Sequence, residues 1–541
     1  MRERTARRRL LFLVLVALLG ALGVLPRLFG EANPDVAWYA YLAERLLEGL
    51  DLYTRIREVN PPWPVWTTLP AAALADLTGL KTSLVFNGTV LLLVSGVLAA
   101  TNGQLRESGT TGGRRWEFLA VVALALLLVP GYAFGQREHL AVVLSFPYLL
   151  SVALGLGGSG PGGTPRGLLA GLGFAFKPHF VLVPLLAEGW ARFRDGDAHR
   201  VIRGATLAMT GVLGAYAAAV LLLEPDYFDV LRELVLPFYP HFNPRPWWAG
   251  LASVPALFVY VALTASCLRL REGGDAMGPA FPFVVYSFGW LAIAALQQQD
   301  MSYHYLPALA HAAVAVGAAL TFRSPGSGAG AEAEGGRDGR RSIGRAVAVA
   351  VAAAFGLVFT YMYAGELRVL AEEEPTEYER LREAVVSDWR PGPDGPEISA
   401  LNMGFGMVFT LLNDTGARWT LRYPGVWPIL AARRKALSRG GTSDEADGGN
   451  GRPTGPISDA ERAFRDEFVR DLTASDPDVF LVPASISRNH GEGLDILRYL
   501  RGDSAFARWF RGYRYRGTVA GLEVYLPGRG ESALPASQGE E

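Results

Sequence analysis

The chain has 541 residues, of which half are hydrophobic and 19% are charged, and its formal net charge is -1. This balance is typical of a membrane protein with a soluble part, and the near-neutral charge argues against nucleic acid as a partner, because a nucleic-acid binder needs a basic face. The single cysteine, Cys267, excludes an intramolecular disulfide and a cysteine-based zinc site.

The chain begins with a basic stretch that is followed by an apolar core at residues 10–25. A secretory signal peptide has the same pattern. However, the segment that follows, PRLFGEANPD, lacks a small-x-small cleavage site. We therefore expect an uncleaved membrane anchor whose N-terminus is cytoplasmic.

Apolar runs of roughly 18 to 22 residues, long enough to cross the hydrocarbon core of a bilayer, recur along the chain. They lie at residues 10–29, 82–101, 117–134, 139–158, 201–223, 248–268, 281–298, 304–322 and 344–364. Arginine residues collect in loops that fall on one side, and the positive-inside rule makes this side cytoplasmic. That topology requires residues 63–80 not to cross the membrane and residues 167–190 to form a hairpin. The outer loops then hold most histidine, acidic and aromatic residues, so we expect the chemistry on the outer face.

The external loop of residues 31–81 begins with a helical pattern. Its apolar residues recur at helical spacing from residue 36 onward. Asn33 can cap this helix and Pro34 suits its first turn. We expect a helix on the membrane surface with Asp35 at its start. Taken alone, Asp35 could simply complement the helix dipole.

Several short motifs follow one another in this loop. They are Asp35, Tyr39-Ala40, Leu46-Leu47-x-Gly49, Leu52-Tyr53 and Asn60-Pro61-Pro62. The stretch resembles the first external loop of GT-C glycosyltransferases, multispan enzymes that take a sugar from a polyprenyl-phosphate carrier; the aminoarabinose transferase of lipid A and the protein O-mannosyltransferases belong to this group. The resemblance implies that Asp35 is the catalytic carboxylate.

One position of the loop departs from the family pattern. A basic residue precedes the proline in a similar transferase, whereas this chain has Asn60 there. The contact to phosphate is therefore expected from other loops. We keep Asn60 and the nearby Glu58 as candidate substrate-binding residues.

The next outer loop contains the motif GQREH at the start of a predicted span. Arg137 could bind a phosphate through its planar guanidinium. Glu138 is a second catalytic candidate, and with His139 it could hold an acceptor or a metal, while Gln136 could bind substrate. The alternative is a charge cluster that merely ends a span. Charges at a membrane boundary that face a cavity are usually functional, so we predict a role.

Lys177 stands at the turn of the predicted hairpin, below the outer surface. An ammonium group in that position is costly unless it is paired. The phosphate of a lipid-linked donor would supply the partner, with His179 beside it. The alternative is a lysine that snorkels to the surface from a single span.

The polar tract QQQDMSYHYLP, residues 297–307, resembles a tract late in the membrane domain of some bacterial GT-C-like proteins. Gln299, Asp300, Tyr303 and His304 could bind sugar hydroxyls or the phosphate ester. Alternatively, these residues cap two helices at the membrane interface.

Another outer loop ends in the sequence RPWW. Its Arg245 is a weaker candidate for binding. Trp247 and Trp248 are typical of the aromatic belt at a membrane interface.

Residues 365–541 form a polar tail, which we expect to fold as a small α/β domain outside the membrane. Residues 367–389 have a helical pattern, and EISALNM, DVFLVPAS, RYRGTVAG and LEVYLPG are predicted strands. Residues 438–456 are predicted to be a flexible insertion and residues 529–541 to be disordered.

The predicted fold class is mainly α. A polytopic helical membrane domain of GT-C type, residues 1–364, has external interfacial helices and precedes the small C-terminal α/β domain, residues 365–541. The resemblance implies an integral glycosyltransferase of the inner or plasma membrane. It would move a hexose or pentose from a polyprenyl-phosphate donor to a glycan, lipid or protein acceptor, with inversion. No cofactor is predicted, although a divalent cation is possible, and membrane lipid is an expected partner.

Two rival functions remain open at this point. A lipid-linked glycan ligase would use the same kind of donor. A flippase or transporter of lipid-linked sugars belongs to another class, and it is disfavoured because the sequence has no internal repeat and has a large external loop and tail.

Overall fold

The computed structural model describes two compact units. The first comprises Met1–Leu47, Asn60–Tyr227 and Asn243–Glu372, and the second comprises Glu48–Val59, Phe228–Phe242 and Glu373–Glu541. The described residues are 30–156, 162–195, 203–242, 244–273, 278–299, 301–322, 375–386, 395–402, 406–438, 457–484 and 495–528, with separate positions or short stretches between 10 and 28 and between 346 and 357.

The second unit contains more than the predicted tail. Glu48–Val59 and Phe228–Phe242, which the sequence places in loops of the membrane domain, pack with it. Arg57 donates its backbone N–H to the carbonyl oxygen of Arg422, at 2.9 Å, and aromatic residues of Phe228–Phe242 pack against Trp427. These two loops therefore complete the second unit, a grouping that the sequence did not predict. The boundary predicted near residue 364 falls outside the described residues.

The described helices of the first unit include seven that follow predicted apolar runs, two in the external loop and the two arms of the predicted hairpin. They are α1 (Pro34–Leu47), α2 (Trp63–Thr78), α3 (Thr82–Glu107), α4 (Gly112–Leu127), α5 (Arg137–Ala153), α6 (Gly163–Phe174), α7 (Leu182–Asp195), α8 (Gly204–Leu223), α9 (Val254–Gly273), α10 (Phe281–Leu296) and α11 (Leu306–Thr321).

Four helices within the described residues are long and apolar enough to cross a membrane, and they match four of the predicted spans. They are Thr82–Glu107, Gly204–Leu223, Val254–Arg271 and Ser302–Thr321. Helix α10 is apolar but shorter. Helix α4 ends at Leu127, before the predicted end of its span, because residues 128–136 form turns and a short 3-10 helix. Helix α5 ends at Ala153, five residues before the predicted end of its span. The predicted spans at 10–29 and 344–364 lie mostly outside the described residues.

Helix α5 lies inside the first unit, and all its residues from Arg137 to Ala153 are buried. Helix α6 packs closely against α8 through glycine. A Cβ atom at Gly167 would lie 2.0 Å from the carbonyl oxygen of Ala205, so only glycine fits there. Small residues allow helix backbones to approach in this way.

Helices α6 and α7 form the predicted hairpin. Lys177, in the turn between them, contacts Glu138 at the N-terminal end of α5. Arg194, at the far end of α7, donates to the carbonyl oxygen of Val152 at the C-terminal end of α5, at 2.7 Å. Since α6 begins soon after α5 ends, the hairpin starts and finishes at the same end of α5, with Lys177 at the other.

The second unit contains a five-stranded sheet in its described part, with strand order β2-β1-β3-β5-β4. Strand β1 pairs in parallel with β2 and β3, whereas β5 is antiparallel to both β3 and β4. The strands are β1 (Glu397–Ala400), β2 (Arg418–Trp419), β3 (Val479–Pro483), β4 (Tyr513–Val519) and β5 (Leu522–Pro527). The flanking helices are α12 (Glu377–Val386), α13 (Gly406–Thr415), α14 (Trp427–Ser438), α15 (Asp459–Ser475), α16 (Ile496–Arg501) and α17 (Ser504–Phe510).

The mainly helical fold class and the small sheet near the C-terminus are confirmed. The predicted strands match β1, β3, β4 and β5. The two-residue strand β2 was not predicted, because it is too short to show an alternating pattern. The insertion predicted at 438–456 lies outside the described residues except for Ser438. The predicted disordered end, 529–541, also lies outside them.

Candidate functional site

Asn33 joins the start of α1 to the turn that precedes α5. Its Oδ1 accepts the backbone N–H of Asp35 at 2.9 Å, and its backbone oxygen accepts the N–H of Ala37 at 2.8 Å, which confirms the predicted cap. The same Oδ1 accepts from Gln136 Nε2 at 2.8 Å, and Asn33 Nδ2 donates to the carbonyl oxygen of Tyr132 at 2.8 Å. The half-buried carboxylate of Asp35 is therefore carried on an anchored helix end.

Arg137 is buried at the start of α5 and is held on two sides. Its Nη1 donates to Asn60 Oδ1, and its guanidinium carbon lies 5.6 Å from the ring centroid of Tyr39. The carboxylates of Asp35 and Glu138 lie within electrostatic range. Asn60, the departure from the family pattern, thus contacts the arginine through a neutral amide and leaves its charge in place.

Lys177 forms a buried ion pair with Glu138. Its Nζ donates to Glu138 Oε1 at 2.6 Å and to Gln297 Oε1 at 2.6 Å. The lysine side chain is 12% exposed and the glutamate side chain is 1% exposed. The sequence predicted the donor phosphate as the partner of this lysine, whereas Glu138 and Gln297 hold it in the structure. Because an ammonium group has three hydrogens, one N–H remains beyond these two bonds.

Tyr303, His179 and His304 surround this pair, although the sequence placed only His179 beside Lys177. Lys177 Nζ lies 5.8 Å from the ring centroid of Tyr303, and the ring of Tyr303 contacts that of His304, with centroids 4.6 Å apart. Both histidines lie within electrostatic range of Lys177 and Glu138. The structure therefore brings residues from four separate segments into one polar cluster.

Four buried polar atoms of the cluster have no hydrogen-bond partner among the described residues. They are Oε2 of Glu138, Nδ1 of His304, Nε2 of His179 and Nε2 of Gln297. Buried polar atoms in native structures are nearly always satisfied, and exceptions often mark the place of a ligand or a water. The cluster consequently has hydrogen-bonding capacity to offer to a substrate.

His139 contacts backbone atoms in the structure, and its predicted role in binding stays a prediction. It is completely buried, its Nδ1 accepts the N–H of Gly135 at 3.0 Å, and its Nε2 lies 2.8 Å from the carbonyl oxygen of Leu126. Since Nδ1 accepts, we assign the proton to Nε2, which donates to Leu126. Both nitrogens are engaged with backbone, so His139 positions the turn, and a direct substrate contact would require one bond to break.

Two predicted residues are not placed in the cluster. Glu58 is buried and belongs to the second unit, and Asp300 lies outside the described residues. Within the described part of the chain, no group of three or more histidine, cysteine or acidic residues could hold a metal ion. The predicted roles of Glu58 and Asp300 and the possible divalent cation stay predictions.

The sequence analysis did not identify three residues that contact the site residues. Gln297 was treated only as the start of a polar tract, Asn33 only as a helix cap, and Tyr39 only as part of a motif. The feature of the sequence that could have identified Gln297 is its position at the end of an apolar run. An amide oxygen at such a position can accept a hydrogen bond from a buried lysine, as Gln297 does from Lys177. Its contact with Lys177 depends on the packing of α10 against the hairpin, which the sequence does not reveal.

No protein-family model matches the sequence, and no curated protein matches it. Among solved structures, the chain is similar to ArnT from Cupriavidus metallidurans. The crystal structure of ArnT bound to undecaprenyl phosphate matches with 14% identity over 95% of this chain and 97% of that chain, at a TM-score of 0.53. The apo crystal structure matches with 13% identity over 96% of this chain and 98% of that chain, at a TM-score of 0.54. At this level of identity the likeness concerns the fold alone, and the chain has a fold similar to that of ArnT.

Proposed function

We propose that this protein is a membrane glycosyltransferase that moves a sugar from a polyprenyl-phosphate carrier to an acceptor on the outer face of the membrane. The observation that carries the proposal is the cluster of buried Arg137, Glu138 and Lys177 with the half-buried Asp35 within electrostatic range. It occurs on a fold whose solved relative, ArnT, was crystallised with undecaprenyl phosphate. Ionisable groups buried in a membrane protein are costly and are usually retained for function.

Arg137 is the better candidate for the principal phosphate ligand. Lys177 is already neutralised by Glu138 at 2.6 Å, whereas the hydrogen-bond partner of Arg137 is the neutral amide of Asn60. An arginine presents five N–H donors in a planar fork that matches phosphate oxygens. Lys177 would then contribute its third N–H, which assists the arginine as negative charge develops on the departing phosphate.

Asp35 is the better candidate for the base. Glu138 is 1% exposed and paired with an ammonium group, whereas Asp35 is half-buried at a helix start, where an acceptor hydroxyl can reach it. In the proposed step, the acceptor hydroxyl attacks C1 of the sugar as the bond from C1 to the phosphate oxygen breaks. The hydroxyl proton passes to Asp35 and the electron pair leaves on the polyprenyl phosphate. Direct displacement inverts the configuration at C1.

The proposed topology places the N-terminus in the cytoplasm and the second unit outside. Its support is the distribution of arginine residues among the loops. The cluster lies at the end of α5 that carries the predicted outer loop 131–139, so donor and acceptor would meet on the outer face. Labelling of single cysteines in a Cys267→Ser background with an impermeant reagent tests this orientation.

The decisive experiment for the activity uses purified protein in proteoliposomes with a polyprenyl-phosphate-linked sugar. A transferase releases free polyprenyl phosphate only when acceptor is present. Release that is independent of acceptor, or movement of the intact donor across the membrane without release, would instead identify a hydrolase or a transporter. Mass comparison of lipid extracts from cells with and without the gene would identify the sugar and the acceptor, including the case of a lipid-linked glycan ligase.

A further inference from the structure

A second polar cleft of the first unit lies beside the segments that form the cluster. Its empty space is about 260 Å³ when the open solvent in front of it is counted. Its polar lining consists of Arg245, Gln298, Gln299 and Tyr305, and small residues such as Gly250 complete it. Gln298 directly follows Gln297 of the Lys177 cluster and Tyr305 directly follows His304, so the same two segments supply both sites.

The phenol of Tyr305 is a hydrogen-bonding group beside this cleft. Its residue is only 2% exposed, and it is among the residues that line the cleft. A phenol hydroxyl can both donate and accept a hydrogen bond.

Gly250 keeps space beside this hydroxyl. A Cβ atom at that position would lie 3.2 Å from Tyr305 Oη and 3.3 Å from the Cα of Ala295. Both distances are tighter than ordinary contacts, so a larger side chain would intrude on the cleft. The short helix that contains Gly250 begins at Trp247.

The backbone of the cleft is strained at Gln298. This residue has a φ of 52°, in the left-handed region that favours glycine. Its carbonyl oxygen accepts the backbone N–H of Arg245 at 3.0 Å, which fixes both residues at the rim. Strained residues of this kind persist where the surrounding structure holds them, and they are enriched at ligand sites.

The chemistry of the lining fits a sugar better than a phosphate. One guanidinium, two amides and one phenol can donate and accept hydrogen bonds in several directions, as sugar hydroxyls require, whereas a phosphate site would concentrate cations. Trp247 and Trp248, next to Pro246 in the chain, are 57% and 58% exposed. Exposed indole rings provide apolar surface against which the CH groups of a sugar can pack.

We propose that this cleft binds a saccharide unit of the acceptor. That the saccharide belongs to the acceptor rests on the proposed transferase function, whereas the binding itself does not. The donor would occupy the cluster around Arg137 and Lys177. The cleft would hold the acceptor glycan so that its reacting hydroxyl reaches Asp35. Arg245, Gln298 and Tyr305 are thereby specificity-determining residues.

The first test measures binding directly and does not depend on transfer. The detergent-solubilised full chain is applied to an array of defined neutral and acidic oligosaccharides, with inorganic phosphate and phosphatidylglycerol vesicles as separate probes. The wild-type protein should retain at least one class of oligosaccharide. Gly250→Val, which fills the cleft, and Arg245→Gln should weaken that binding at least about tenfold. Ala252→Val, an exposed position outside the cleft lining, is the matched control and should bind normally.

The second test uses the transfer assay. Tyr305→Phe and Arg245→Gln should raise the KM for acceptor about tenfold while the KM for donor and kcat stay within about twofold. If no oligosaccharide binds, if binding survives Gly250→Val, or if only phosphate or vesicle binding is lost in the variants, the proposal is overturned. If the array binding behaves as expected but the wild-type protein transfers no sugar, the cleft is a saccharide site and the transferase proposal is the one that fails.

Discussion

The ammonium of Lys177 and the carboxylate of Glu138 lie 2.6 Å apart although the two residues are 39 positions apart in the chain. The contact joins the turn of the α6–α7 hairpin to the start of α5, and Gln297 completes it from the end of α10. Because both charges are buried, the two residues form an energetic unit. The effect of changing one of them therefore depends on the other.

Lys177→Ala should reduce both stability and activity. The substitution leaves Glu138 as a buried uncompensated carboxylate, a situation that typically costs about 3–5 kcal/mol. The double variant Lys177→Met with Glu138→Gln should recover most of the stability, because neither charge remains, but not the activity. Thermal unfolding in detergent and donor titration measure the two effects. A single variant as stable as the wild type would show that the pair is not buried as the structure has it.

Arg137→Ala should lower kcat/KM for the donor by about 10²–10³-fold, the usual scale for losing a group that stabilises developing charge. Arg137→Lys should recover only part of this loss, since it keeps the charge but not the planar fork. Arg192→Lys, at an exposed position of α7, is the matched control. Full activity of Arg137→Lys would mean that the site needs only a charge there.

Asp35→Asn should reduce turnover by roughly 10²-fold or more, the scale expected for a general base. The helix start should survive, because asparagine is tolerated near a cap and Asn33 continues to bind the backbone N–H of residue 35. Donor affinity should change little. Asp76→Asn, on the exposed face of α2, is the control. If Asp35→Asn turns over like the wild type, Asp35 only complements the helix dipole. Glu31, Glu58 or Glu138 would then be the candidates for the base.

Asn60→Asp should weaken donor binding about tenfold with little effect on kcat. The carboxylate would still accept from Arg137 Nη1, but it would neutralise the arginine and repel the incoming phosphate. Asn60→Lys would restore the basic residue of the family pattern, yet it should also be harmful here because it places a second cation against Arg137. The measurement is the donor KM for the three proteins. An active Asn60→Lys variant with tighter donor binding would contradict this assignment of Asn60.

Arg433→Met should destabilise the second unit by about 3–5 kcal/mol, because it leaves Glu461 charged and buried. Arg433 Nη1 lies 3.3 Å from Glu461 Oε1, and the two side chains are 7% and 0% exposed. Tyr499 donates to the same carboxylate oxygen at 3.0 Å. The pKa of the Tyr499 phenol is raised, mainly by burial and also by the negative charge of Glu461. Glu461→Gln combined with Arg433→Met should recover stability. Calorimetry of the full chain tests both variants.

Local patterns in the sequence determined a large part of this protein. Apolar runs specified most of the described spans, alternation specified four of the five described strands, and the Asn33 cap specified where α1 begins. The sequence also predicted the hairpin around Lys177. Two short apolar arms flank this residue, and the arginine-rich loops fall on one side of the membrane only if the arms form a hairpin. These features depend on residues that are close together in the chain. The spacing of apolar residues therefore reveals them without knowledge of the tertiary structure.

The tertiary structure alone decided which of the candidate residues meet. Arg137 and Asn60 are 77 positions apart, and Lys177 and Gln297 are 120 apart, so their contacts depend on how α5, the hairpin and α10 are rotated against one another. The same packing engages both nitrogens of His139 with backbone and joins residues 48–59 to the second unit. Hydrophobic burial is non-directional, so an apolar pattern specifies that a helix is buried but not which polar side chain it will present to its neighbour.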